Sequence, residues 1–443
     1  MRNWIFILFW GLIASACAVQ TPSGTQPPLQ DPTADIDLFL STDDPAKEHQ
    51  IVERLKKNNI SHQQVKAYLR LKARGQGGAP GWHSDLSIEH QQKLYSYALH
   101  APRDLTQEKT YPLIVILHGM GGNGESTLKR WLPRLGEDFI IACPSYPMGA
   151  WWTFTAEEII FKLIRQVKTR YPVNHNKVFL AGLSNGAIGT YMMGMFYPDR
   201  FAGIVPIAGA VTARYMHFLI NLNNTPVYSI QGQHDPIFPV SISRRINKIL
   251  TDLRYPLVYR EHLEKGSVHG GHFMPESEVP ALKAWLKSQE RNPHARVIRM
   301  VREANHLGQI QWARVSKGYQ LAALQIPGPE PETLNIKDGK IATMIAVHKE
   351  KNLFEILGKN LLENEIYLNA DHVDLDRPVT VTFQELQETR DKYMAGEKTV
   401  RFEGLVKKDL FLLLHGFKDR WDPELLYDAR IKISFGHQIA RRP

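Results

Sequence analysis

Apolar residues come in short unbroken runs through the middle of the chain, at 113–117, 139–143, 177–181 and 226–230. Each run is too short for a stable helix and lacks polar alternation, so each predicts a strand buried on both faces of a parallel sheet. Between them the pattern changes. Over 156–170, Ile159, Ile160, Leu163, Ile164 and Val167 recur at steps of three and four, which predicts a helix with one apolar face. A second helix is predicted over 278–288. Strands alternating with helices imply βαβ units, so 91–292 reads as one α/β unit with a mostly parallel sheet flanked by helices. Residues 94–99 read as an early edge strand.

Beyond Pro293 the helical periodicity gives way to short strand candidates at 309–315, 341–347, 366–368 and 379–383, separated by turn residues such as Asp338-Gly339. A helix near 410–415 and a strand near 431–435 follow. Residues 293–443 therefore predict a smaller, mostly β domain. Upstream, Ile51, Val52, Leu55, Val65, Tyr68 and Leu69 mark short helices in a helical extension, 46–90, packed on the α/β unit. Residues 18–45 are rich in Pro, Thr, Gln, Ser and Asp and predict a flexible tether. At the N-terminus, Arg2 and an apolar run from Trp4 to Ile13 precede Ala14-Ser15-Ala16-Cys17. That run is too short to span a bilayer and reads as an export signal, 1–17. Small residues before Cys17 resemble a bacterial lipoprotein processing box, which predicts lipidation of Cys17. The same residues also suit ordinary signal peptidase and release as a soluble protein.

The chain has 443 residues, enough for two domains, and a formal charge of +9 spread along it. No basic patch interleaved with aromatics is present, so nucleic acid is not an expected partner. Of the two cysteines, Cys143 sits in an apolar run and reads as a small buried hydrophobe.

Chemistry gathers at the ends of the apolar runs. Gly182-Leu183-Ser184-Asn185-Gly186 follows a strand candidate and opens a helix-like stretch. Glycines two residues either side of a serine permit a turn tight enough to lift its hydroxyl to substrate. His118-Gly119-Met120-Gly121-Gly122 follows the run at 113–117, and such a loop can bring a backbone N–H to a substrate oxygen. The amides of Met120 and Asn185 are the candidate oxyanion donors, and His118 reads as a brace for the loop. Asp235 follows the run at 226–230. An aspartate there can orient a histidine. His269 and His272 come next, and His272, behind Gly270-Gly271, is the better base. His269 would then line the pocket. A His-x-x-His pair with no Cys nearby is weak evidence for zinc, so no metal or organic cofactor is expected. Tyr146, Trp151 and Trp152 follow another strand, and the two Trp are candidates for a substrate cleft or for packing.

The order Ser184, Asp235, His272 is that of α/β-hydrolases. From Tyr111 to Trp285 the chain resembles the secreted polyhydroxybutyrate-depolymerase and feruloyl-esterase group of that fold. The resemblance is carried by 118–122, 182–186, His234-Asp235-Pro236 and Gly270-Gly271-His272. It implies a carboxylesterase with Ser184, Asp235 and His272 as its triad. Ala187 and Phe273-Met274-Pro275 stand where many members have a second glycine and Trp-Pro. Asn292-Pro293, Val373-Asp374-Leu375-Asp376-Arg377-Pro378-Val379 and Arg420-Trp421-Asp422-Pro423 resemble the C-terminal β-domain attached to some bacterial esterases of this type. The expected activity is an exported serine esterase acting on a plant polysaccharide ester or a polyester. A serine peptidase of the same fold is the alternative. Lipidated Cys17 would hold the enzyme at the cell envelope, at the outer membrane in a Gram-negative cell.

Overall fold

The computed structural model describes residues 31–266, 269–323, 340–388 and 393–435. The expected signal segment and Cys17 lie outside them. An eight-stranded sheet runs through the first part of the chain. Its strands are β1 (Gly81–His90), β2 (Lys93–Ala101), β3 (Tyr111–Leu117), β4 (Ile140–Pro144), β5 (Val173–Leu183), β6 (Gly203–Ile207), β7 (Val227–Gly232) and β8 (Leu257–His262). They lie in the order β1-β2-β4-β3-β5-β6-β7-β8. From β4 across to β8 the neighbours are parallel, while β2 runs antiparallel to both β1 and β4.

Both faces of this sheet are apolar, as the unbroken runs require. Along β3, Leu113, Val115 and Leu117 face one core, and Ile114 and Ile116 face the other. Helices α5 (Phe154–Arg170) and α6 (Asn185–Phe196) cover the first core. Helices α4 (Gly124–Leu135) and α8 (Val279–Ser288) cover the second, which also holds Cys143. Burial pushes the Cys143 thiol well up, so it stays protonated. Helix α7 (Val240–Asp252) adds Ile246 and Leu250 to the first core.

The N-terminal part departs from expectation in three places. The predicted tether is helical over α1 (Thr33–Ser41), because Ile36, Phe39 and Leu40 supply a short apolar face. Helices α2 (Pro45–Lys57) and α3 (His62–Lys72) follow, capped by Asp44 and by a Ser61–Gln64 capping box. Their main partner is α9 (Leu410–Arg420), near the other end of the chain, and not the α/β unit. Ile51, Leu55, Val65 and Leu69 share one core with Leu410, Leu413, Leu414 and Phe417. The last ten residues of the expected helical extension form β1, whose Leu86 and Ile88 turn inward at a two-residue period. That strand is the sheet edge, and β2 lies inside it.

The C-terminal part is two sheets packed on one core. One is three-stranded, β10 (Ala313–Gly318), β13 (Leu361–Leu368) and β17 (Ala429–Ser434). The other contains β9 (Val297–Arg302), β11 (Ala342–Glu350), β12 (Leu353–Lys359), β14 (Val379–Glu388), β15 (Tyr393–Ala395) and β16 (Thr399–Gly404). Met300, Met344, Ile356 and Val381 from one sheet meet Val315, Ile366 and Ile431 from the other. The strand expected at 309–315 begins only at Ala313. Ile310 and Ala313 close a tight turn on each other first, with Gln311 in a left-handed conformation.

Buried charges join this sandwich to the eight-stranded sheet unit. Arg420 pairs with Asp199 at 2.6 Å, and Arg291 pairs with Asp422 at 2.7 Å. Asp199 also accepts the Gln311 amide at 2.7 Å. Burial opposes the charge on Asp199, but Arg420 and Arg200 hold its pKa below the ordinary carboxylate value. The motif at 420–423 is thus a docking element. Nearby, His306 of the sandwich side stacks flat on Phe196 and bonds Glu303 and Glu157, the latter on α5. Asp199→Ala should cost about 3–5 kcal/mol, because it leaves a buried guanidinium unpaired. Adding Arg420→Met should recover much of that loss. Chemical denaturation of the wild type and both variants checks it, and an unchanged midpoint for Asp199→Ala would contradict it.

Candidate active site

Four loops at the carboxyl ends of β3, β5, β7 and β8 carry the candidate residues. Ser184 sits between β5 and α6 with φ 60° and ψ −120°. A non-glycine residue held there stores on the order of 1–3 kcal/mol of strain. The neighbours enforce it. A Cβ on Gly186 would lie 2.2 Å from the Leu117 carbonyl oxygen, so α6 can start this close to β3 only with glycine there. The Ser184 amide donates to the Ile207 carbonyl at 3.0 Å, tying the turn to β6.

The loop after β3 lies against the serine. A Cβ built on Gly119 would sit 3.2 Å from that of Ser184. His118 braces this loop. Its Nε2 accepts the Tyr146 amide at 3.1 Å, so Nδ1 carries the proton and donates to the Gly119 carbonyl at 2.7 Å. Burial lowers the His118 pKa, although the bond to Gly119 works the other way. Met120 follows, with its side chain largely exposed. Asn185 is the first residue of α6, where helical amides have no partner four residues back. Its side chain donates to the Met148 carbonyl at 3.0 Å, which joins the β5 and β4 loops.

Asp235 and His272 come together. Asp235 Oδ2 accepts from His272 Nδ1 at 2.9 Å and from Gln231 Nε2 at 2.9 Å. Its Oδ1 accepts the amides of Ile237 and Phe238 at 2.8 and 2.9 Å. Burial works against the charge on Asp235, yet the His272 bond and the two amides hold its pKa below the ordinary value. Phe238 stacks on the His272 ring at 5.8 Å, nearly parallel. His269 is exposed, and its backbone carbonyl accepts the His272 amide at 3.0 Å.

Of the two readings left open for Trp151, cleft lining or packing, the structure shows packing. Trp151 is fully buried, and its indole donates to the His118 carbonyl at 2.8 Å. Its ring meets Tyr146 and His118, so it supports the loop after β3. Trp152 is half-buried against the same core. Gln231 was missed. It is buried on β7 and is fixed by Ser243, at 3.1 Å, and by the Phe238 carbonyl. The one signal was a lone amide side chain inside an apolar strand. Among the described residues, no cluster of three or more His, Cys, Asp or Glu would hold a metal.

The strand order and the elbow are those of the α/β-hydrolase fold. Residues 154–289 match the phospholipase/carboxylesterase family. The matched stretch contains Ser184, Asp235 and His272 and covers under a third of the chain. No curated protein matches it. Solved structures similar to it include a thermostable esterase, at 21% identity and TM-score 0.39, over 47% of this chain and 63% of that one. An S-formylglutathione hydrolase from Staphylococcus aureus is 13% identical at TM-score 0.38, over 48% and 98%. A ferulic acid esterase is 15% identical at TM-score 0.36, over 47% and 97%.

Besides the Asp235–His272 bond, the β7 and β8 loops meet backbone to backbone. A Cβ on Gly232 would lie 2.1 Å from the Gly271 carbonyl oxygen. Gly232→Ala should therefore part Asp235 from His272. We expect turnover to fall at least about tenfold, the scale on which misplaced catalytic groups act. The downfield proton resonance of the His272–Asp235 bond should vanish with it. A variant that keeps both would contradict the geometry.

Proposed function

We propose that the chain is an exported serine esterase working through an acyl-enzyme intermediate. The observation that supports this most is the 2.9 Å bond from His272 Nδ1 to a four-bonded Asp235, at the same end of the sheet as the strained Ser184 elbow. In this reading Ser184 Oγ attacks the ester carbonyl carbon while His272 Nε2 takes its proton. Asp235 stays ionised, holds Nδ1–H and stabilises the imidazolium. The amides of Met120 and Asn185 receive the oxyanion, each worth about 3–4 kcal/mol of transition-state stabilisation. His272 returns the proton to the departing alcohol. Water repeats the cycle and releases the acid. No step calls for a metal or an organic cofactor.

The rim of this site favours an apolar ester. Met120, Met148 and Ile237 are each more than half exposed. Met148 and Ile237 are tied through backbone to Asn185 and Asp235. A feruloyl ester on plant polysaccharide, or an aliphatic polyester, presents such a surface. Delivery would be by the N-terminal segment, with a lipid on Cys17 holding the enzyme at the cell envelope.

Ser184→Ala should lower hydrolysis of p-nitrophenyl esters by roughly 10³-fold or more without loss of fold. A fluorophosphonate probe should label the wild type at Ser184 alone. His272→Ala should abolish activity, and His269→Ala should change it only mildly. The reverse result would move the base to His269, and full activity in Ser184→Ala would remove the serine mechanism.

For location, wild type and Cys17→Ser are compared after feeding an alkyne fatty acid. Label in the wild type alone is the expected outcome. An unlabelled, soluble, exported wild type would replace anchoring by plain secretion.

A further inference from the structure

A cavity of about 290 Å³ opens in the C-terminal sandwich, among residues that play no part in the serine chemistry. It lies between the entry to β9, the β11–β12 turn and the segment after β13. Its size suits one ring-sized molecule and no more, being at the small end of ligand pockets.

The walls are built and not merely vacant. Arg296 reaches across from the β9 side and donates to the carbonyls of His348 and Lys349, at 3.4 and 2.9 Å, which fixes the β11–β12 turn. The His348 ring lies flat on Phe354 at 4.4 Å, and Trp312 packs against both. Elsewhere in the lining the rings of His294 and His372 meet at 3.7 Å. Aromatic and imidazole faces therefore enclose a slot that suits a planar or ring-shaped body.

The charge of the lining is lopsided. Arg296, Lys349 and Lys351 stand against Glu350 alone. Lys349 is paired with Glu355 at 3.1 Å, and Glu350 offsets one more, which leaves one cation in surplus beside three imidazoles. Burial above all, with His372 and Arg291, pushes the His294 pKa down to about 4, against the opposing pull of Asp371 and Asp422.

We propose that this cavity is a second ligand site, which takes a carboxylate carried on a sugar or aromatic ring. The carboxylate would lie between Lys351 and the His294–His372 pair, with the ring between the His348 and His294 walls. The site does not rest on the esterase reading, since none of its residues touches Ser184, Asp235 or His272.

Full-length protein is first blocked at the catalytic serine with a fluorophosphonate, so that no acid is scored at the esterase site. Galacturonate and ferulate are then titrated by calorimetry, with galactose and methyl ferulate as uncharged counterparts. We expect saturable binding of at least one acid and none of its uncharged partner. Galacturonate alone would identify a sugar acid as the ligand, and ferulate alone an aromatic acid. Lys351→Glu and His372→Ala change exposed side chains and should fold normally. Each should weaken the acid at least about tenfold, the range of a lost charged contact. Absence of binding by both acids, equal binding of the uncharged partner, or affinity untouched by both variants would overturn the proposal.

Discussion

The constraint on which the site depends is the contact of bare backbone at the strand ends. Gly186 lies against the carbonyl of Leu117, and Gly232 lies against that of Gly271. Neither contact tolerates a side chain. The first lets α6 begin directly above β3, with Ser184 held at a positive φ at the junction. The second brings the loops after β7 and β8 into register, so one carboxylate reaches one imidazole. Precise placement here comes from missing atoms, while the apolar core beneath supplies the rigidity.

Polar support then works outward in layers. Asp235 keeps its charge because four donors meet its two oxygens. Gln231 is in turn held by Ser243. On the other side of the serine, Trp151 supports His118, and His118 supports Gly119 and the Tyr146 amide. A chain of single hydrogen bonds thus runs from the core to both halves of the site.

The central sheet was legible in the sequence because parallel strands buried on both faces leave unbroken apolar runs. The triad candidates were legible because loop glycines and strand ends mark them. What stayed hidden depends on partners distant in sequence. Helix α1 looked like tether because three apolar residues mean little until α9 covers them. β1 looked like part of a helical extension because an edge strand buries only alternate residues. Trp151 stayed open between cleft lining and packing because an aromatic after a strand reads alike whether it faces substrate or supports a loop. The pairs Arg420–Asp199 and Arg291–Asp422 span more than 130 residues each, and no local pattern announces them.

The shared core of α1, α2, α3 and α9 has a consequence for how the molecule can be taken apart. The two ends of the described chain cover one another. A cut before α9 would strip the lid from Ile36, Phe39, Ile51, Leu55 and Val65. A cut after α3 would do the same to Leu413, Leu414 and Phe417. The β-sandwich is therefore not a detachable module at the end of the α/β unit. The protein is closed like a clasp, and shortening it from either side exposes the same sticky seam.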